Sequence, residues 1–258
     1  MRRIAVKLEY DGTNFCGWQL QADVRTVQGV LEEAARNATG IEERVLVEGA
    51  GRTDAGVHAA GQVAHFDTES DLDTAVMGRA LDNWLPRDVG VLACAQTDKS
   101  FHARFSASGK HYCYRIIRSQ RTRPLWERYY LRVWEKLKVE PMRECAGYVV
   151  GTHDFASFTS AGSEVENTVR TMHSCKWQKD GENLLFDIIG EGFTYNMVRA
   201  LVGTMLEVGR EKWTFEEFKE VLEAGDRRQA GPTAPSNGLI LREVLYPEDV
   251  EPFTEHPS

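Results

Sequence analysis

Hydrophobic period two gives way to period 3.6 and back again in a fixed order along this chain, and that order restricts the fold more than any single motif. Residues 3–10 alternate apolar and polar side chains as a half-buried strand does, and Asp11-Gly12 ends the run with a turn signal. Thr26 is placed to cap a helix with Val27, Val30, Leu31, Ala34, Ala35 and Ala38 at helical spacing, stopping before Gly40. Residues 44–48 and 62–68 read as strands. Residues 72–85 carry a helical stripe through Val76, Ala80, Leu81 and Trp84 that Pro86 closes, and residues 89–95 return as a strand. The order is β-α-β-β-α-β, the split βαβ pattern.

The second half repeats it. Residues 109–118 read as a strand and 141–150 as a helix with Pro141 in its first turn, while 169–178 and 184–190 form a hairpin across Asp180-Gly181. Residues 195–208 form a helix stopped by Gly209. A second follows, opened by the capping box Thr214 with Glu217 and ended at Gly225, and residues 239–245 supply a closing strand. The expected fold is α+β: two β-α-β-β-α-β halves forming one extended, mostly antiparallel sheet, with helices on one face and a catalytic cleft on the other. The division expected from the pattern is 1–105 for an N-terminal domain, 106–247 for a C-terminal domain, and 248–258 for an acidic tail.

A chain of 258 residues with 42% hydrophobic and 27% charged residues can bury a real core, which excludes disordered, collagenous and disulfide-scaffold classes. No apolar run reaches the ~20 residues that span a bilayer, and Met1-Arg2-Arg3-Ile4 runs straight into the first strand without a signal-peptide core. A cytoplasmic protein with no membrane partner is expected. Cys16, Cys94, Cys113, Cys145 and Cys175 are an odd set without a C-x-x-C pair, and read as small buried apolar residues.

The formal net charge of -8 argues against a polyanionic partner only if the charges are evenly spread. They are not. Glu248, Asp249, Glu251 and Glu255 crowd the last residues without a Lys or Arg, whereas residues 101–128 hold Arg104, Lys110, Arg115, Arg118, Arg121, Arg123 and Arg128 against Glu127 alone. Tyr112, Tyr114, Trp126, Tyr129 and Tyr130 interleave with this strip, and stacking combined with phosphate neutralisation is how single-stranded or extruded nucleotides are held. A solvated basic strand, with Tyr112 and Tyr114 sharing a core-facing side, would look the same.

The stretch 49–59, GAGRTDAGVHA, packs Arg52 and Asp54 among three glycines that tolerate close approach of another chain. An ionised Asp54 could act on a sugar anomeric carbon as nucleophile, base or electrostatic stabiliser, and a neighbouring arginine would keep it ionised. Arg52 is one candidate. Arg199 is another, bordering an apolar helical face through Val198, Leu201, Val202, Met205 and Leu206, although it could equally snorkel to water. The histidines are scattered and support neither a Ser/His/Asp arrangement nor a metal site. Two accidental motifs are set aside. Glu9-Tyr10-Asp11-Gly12-Thr13 has Glu9 where a D-x-D-G-T phosphatase needs its nucleophilic aspartate, and residues 49–56 lack the G-K-[ST] end of a P-loop.

Residues 51–59, GRTDAGVHA, resemble the active-site motif of the TruA-type tRNA pseudouridine synthases. So, in the same order, do residues 9–13 with 17–19, 26–28, 101–107, 110–115, 197–199, 202–203, 207–209 and 233–235 with 238–239, nearly the whole chain as far as Pro247. The resemblance implies a homodimer that converts uridine to pseudouridine at positions 38, 39 and 40 of the tRNA anticodon stem-loop, without cofactor or metal, on a flipped-out nucleotide. It further implies that Asp54 is the catalytic carboxylate, Arg52 holds the flipped state, Arg199 pairs with the carboxylate, Tyr112 stacks on the uracil and Leu239 forms an apolar wall. The competing class is an RNA-binding protein or RNA chaperone that uses the basic strip without chemistry; such a protein has no need of a carboxylate facing a polyanion.

Overall fold

The computed structural model describes residues 1–160 and 167–253. Contacts gather the chain into two compact units, Met1–Ser108 with the residues from Leu241 on, and Gly109–Ile240. Both units mix helices with mostly antiparallel strands, so the α+β class is as the periodicity indicates.

In the first unit β1 (Arg2–Tyr10) lies between β3 (His58–Thr68) and β4 (Val89–Thr97), antiparallel to both. Its central position explains why Ile4, Ala5, Val6, Leu8 and Tyr10 are all buried. The β1–β3 register runs from Arg2 opposite Thr68 to Leu8 opposite Gln62, then slips before Tyr10 meets Ala59. That irregularity is next to the Asp54 loop. Helix α1 (Val27–Thr39), capped by the Thr26 hydroxyl on the Gly29 N–H, buries Val27, Leu31, Ala34 and Ala35 and packs beside α2 (Thr74–Trp84), which covers β4.

The strand expected over 44–48 is reduced to β2 (Glu48–Gly49). Its backbone groups are taken by α1 side chains: Gln28 Nε2 donates to the Val47 carbonyl at 3.1 Å, and Val47 N–H to Glu32 Oε1 at 3.4 Å. Glu32, buried on α1, is in turn gripped by Arg44 at 2.6 Å. A ladder cannot form where side chains already hold the main chain.

In the second unit β5 (Gly109–Arg118), β9 (Asn183–Gly190), β8 (Val169–Asp180) and β7 (Gly151–Asp154) follow one another in space, and β6 (Leu131–Val133) pairs parallel to β5. The hairpin across Asp180-Gly181 forms as its sequence indicates. Strands β6 and β7, three and four residues long, were not visible as periodicity. Helix α3 (Val139–Val149) packs on β8, on α4 (Met197–Gly209) and on α5 (Phe215–Ala224), whose Thr214–Glu217 capping box is formed. Apart from Arg199, every residue of α4 is buried, as befits a helix apolar nearly all round. It starts two residues later than expected because Asn196 takes a left-handed conformation (φ 62°) that an α-helix cannot include. The closing strand β10 (Leu239–Leu245) starts in the second unit and ends in the first. Of the acidic tail, residues 254–258 with Glu255 lie outside the described residues; Val250 and Glu251 N–H both donate to the Pro247 carbonyl at 3.0 Å. Among the described residues no helix is long and apolar enough to cross a membrane.

Candidate active site

Asp54 opens a β-turn: Val57 N–H donates to its carbonyl at 3.1 Å across Ala55 and Gly56, and Gly56 has φ +77°. A positive φ at the third turn position is the reason for glycine there. The turn is held from outside by residues 12–18. Trp18 N–H donates to the Thr53 carbonyl at 3.0 Å, Gly56 N–H to the Phe15 carbonyl at 3.2 Å, and Gly12 N–H to His58 Nδ1 at 3.1 Å. Gly17 makes this possible, since it has φ +93° and a Cβ there would come within 2.6 Å of the Thr53 carbonyl oxygen.

From beneath, the loop rests on buried polar groups. Tyr10 Oη and Thr53 Oγ1 share a hydrogen bond of 2.9 Å, and Gln62 Nε2 donates to the Gly51 carbonyl at 2.9 Å and, longer, to Tyr10 Oη at 3.4 Å. Burial pushes the Tyr10 phenol up to about 12, against the opposing effect of its bonds to Thr53 and Gln62, so it stays protonated as a fixed strut. Arg52 is exposed, with Nε donating to Gln19 Oε1 at 3.0 Å, and Gln19 donates onward to Gln28 on α1 at 2.9 Å. Asp54 is half-buried at the head of this clamped turn. The sequence did not assign Tyr10, Gln62 or Gly17 these roles. A buried Gln in a mostly apolar strand was the only available signal.

Tyr112, Arg199 and Leu239 belong to the second unit. Tyr112, buried on β5, meets Phe193 edge to face at 5.0 Å and 79°. Its neighbour on the same face, Tyr114, is fully buried, donates to the Pro235 carbonyl at 2.7 Å, and has its phenol pushed up by burial despite the Arg199 charge. Arg199 Nε donates to the Ala234 carbonyl at 2.8 Å and Nη1 to Asn196 Oδ1 at 2.7 Å, while Ala234 N–H returns a bond to the Arg199 carbonyl at 3.0 Å. Arg199 is thus tied into the protein and does not snorkel. Together Tyr114 and Arg199 fix residues 234–235, the lead into Leu239, which is buried at the start of β10.

One cluster was not legible in the sequence. Glu48, His65 and His102 bring ligand-type atoms within 4.8 Å of one another, a spacing that could hold a metal ion. The hydrogen bonds argue against that use. His65 Nδ1 accepts from Ala103 N–H at 3.2 Å, and His102 Nδ1 from the N–H groups of Arg104 (3.1 Å) and Phe105 (3.3 Å). Each neutral ring therefore carries its proton on Nε2, and His102 Nε2 donates to Glu48 at 2.9 Å. A histidine bound to metal through Nε2 donates from Nδ1, the reverse of this pattern. The donor set does not fit a metal ion; it pins the 101–106 turn to β3.

A family model described as tRNA pseudouridine synthase matches residues 6–106 and 145–247, which include the Asp54 loop, Arg199 and Leu239. Proteins called tRNA pseudouridine synthase A are similar over nearly the whole chain. That of Anoxybacillus flavithermus is 46% identical over 95% of this chain and 99% of its own, that of Halalkalibacterium halodurans 45% over 93% and 91%, and that of Acetivibrio thermocellus 43% over 95% and 100%. These similarities place the chain among the RNA-modifying isomerases. The chain belongs to the tRNA pseudouridine synthase family.

Proposed function

We propose that this protein isomerises uridine to pseudouridine at positions 38, 39 and 40 in the anticodon stem-loop of tRNA, with Asp54 as the catalytic carboxylate. The observation that carries the reading is the Asp54 loop: a half-buried carboxylate on a glycine turn, clamped by Trp18, Phe15, Tyr10 and Gln62, inside the segment the family model matches. The N1–C1′ bond of the uridine breaks, the uracil turns over, and a C5–C1′ bond forms; C5 gives up its hydrogen and N1 gains one, so the formula is unchanged. Asp54 assists the first step either by attacking C1′ or by removing the C2′ proton, and must be ionised for both. Deuterium at C2′ separates the routes: a primary isotope effect marks proton removal, and its absence marks attack.

Arg52, exposed on the same loop, holds the flipped nucleotide, and flipping costs about a few kcal/mol that such contacts offset. Tyr112, Arg199 and Leu239 are assigned to substrate binding on the family resemblance. The same resemblance supports a homodimer acting in the cytoplasm. The test is to incubate wild-type protein and Asp54→Ala with an unmodified tRNA transcript without added metal, and to map pseudouridine by carbodiimide adducts and primer extension. Stops in the anticodon arm with wild type alone are expected. Binding without stops for wild type would reject catalysis in favour of an RNA-binding role.

A further inference from the structure

The segment 119–130 between β5 and β6 displays large apolar side chains in the open: Leu125 is 87% exposed and Trp126 39%. Such a display on a loose loop would mean little, but this one is held in place. Trp126 and Glu127 N–H both donate to the Arg123 carbonyl (2.8 and 3.0 Å), and Asn237 Nδ2 donates to the carbonyls of Glu127 (2.7 Å) and Tyr130 (2.9 Å). Arg123 pairs with Glu182 at 2.7 Å, and Trp126 meets Tyr130 edge to face at 5.3 Å and 75°. An ordered segment that presents an indole and a leucine to water is built for a partner.

The charge selects the partner's chemistry. Glu127, the one acidic residue of the segment, is engaged by Arg132 Nε at 3.1 Å, and Arg121 is exposed. A second copy seated two-fold over this segment would bring a surface with three Arg and one Glu against itself, a like-charge contact that costs affinity. A polyanion with flat, stackable groups meets both features at once.

We propose that segment 119–130 is a docking surface for unpaired nucleotides of the RNA substrate, with Trp126 stacking on a base and Arg121 facing a phosphate. The proposal rests on the tRNA substrate given above and adds a contact surface that the catalytic residues do not include. The experiment measures equilibrium binding of an unmodified tRNA transcript to the full-length protein over a salt series, with the assembly state followed by sedimentation. Trp126→Ala weakens binding by roughly tenfold, and Trp126→Phe, which keeps a stacking ring, retains most of the affinity. Arg121→Gln flattens the slope of log K against log salt by about 0.7, one phosphate no longer neutralised. Unchanged affinity and slope in all variants overturns the proposal. So does a changed assembly state with unchanged affinity per protomer, which would make the surface an interface between copies. Pseudouridine formation by wild type on the same transcript is scored separately: its absence alongside Trp126-dependent binding rejects the catalytic reading and leaves the docking surface standing. Failure of wild type to bind the transcript rejects the docking surface.

Discussion

Asp54→Asn keeps the side-chain volume and the turn while removing the charge, so it separates chemistry from binding. Turnover falls by at least about a thousandfold, since neither attack nor proton removal is open to an amide, while tRNA affinity in a filter assay stays within about threefold. Tyr112 admits a similar dissection. Its ring is anchored edge-on by Phe193 on a buried strand position, so Tyr112→Phe preserves the ring and Tyr112→Ala opens a void. If stacking on uracil is its role, single-turnover rates order wild type, Phe, Ala with the large step between Phe and Ala. Equal losses in both would assign the role to the hydroxyl.

At the level of elements, the Asp54 loop depends on a residue 37 positions upstream. Gly17→Ala meets two penalties, a positive φ and a Cβ within 2.6 Å of the Thr53 carbonyl oxygen, and neither neighbour can retreat because both are main chain. It destabilises the protein by about 2 kcal/mol or more, read as a lower urea midpoint, and lowers turnover even where folding is rescued by temperature. The 101–106 turn carries a pH signature. His65 is nearly fully buried, and desolvation first, then the Arg3 charge and His102, push its pKa down to about 4 from an ordinary 6.5. The folded protein thus refuses a proton that the unfolded chain accepts. Stability from this residue is intact above pH 6.5 and drains away as pH falls toward 4, by up to about 1 kcal/mol per pH unit after allowance for screening. His65→Gln removes that part of the pH dependence, which urea titrations at pH 7 and pH 5 measure.

These two cases also show where the sequence stopped being readable. Period two in residues 3–10 and the stripe through Val27, Leu31, Ala34 and Ala35 located β1 and α1, because burial of a face is written in the spacing of the chain itself. The crowding of Gly51, Arg52, Asp54 and Gly56 likewise marked the turn at Asp54, the loop proposed as catalytic. Gly17 on Thr53, Gln62 on Gly51 and Gln28 on Val47 are contacts between distant segments, and periodicity names a face without naming what lies against it. That is why residues 44–47, apolar enough for a strand, are held by α1 side chains instead. Asn196 is the local exception: it can adopt a left-handed conformation, but nothing in its neighbours required it to do so.

Over the whole molecule the net charge of -8 conceals a division of charge. Residues 109–240 hold 19 Lys and Arg against 18 Asp and Glu, whereas the remainder holds 12 against 21. Within the nearly neutral part the positive charges gather between Lys110 and Arg132, where Glu127 is the one acidic residue. Fields in salt water decay within about 10 Å, so a bound RNA responds to the charges it touches and not to the total. Binding of tRNA by this acidic protein therefore weakens as salt rises, the behaviour of a basic protein. With about four phosphate contacts, affinity falls roughly fifty- to a hundred-and-fiftyfold between 50 and 200 mM monovalent salt. A salt-independent affinity, or one that strengthens as salt screens the acidic remainder, would mean that the basic strip lies outside the RNA contact. The specificity of binding would then have to come from hydrogen bonds and stacking alone.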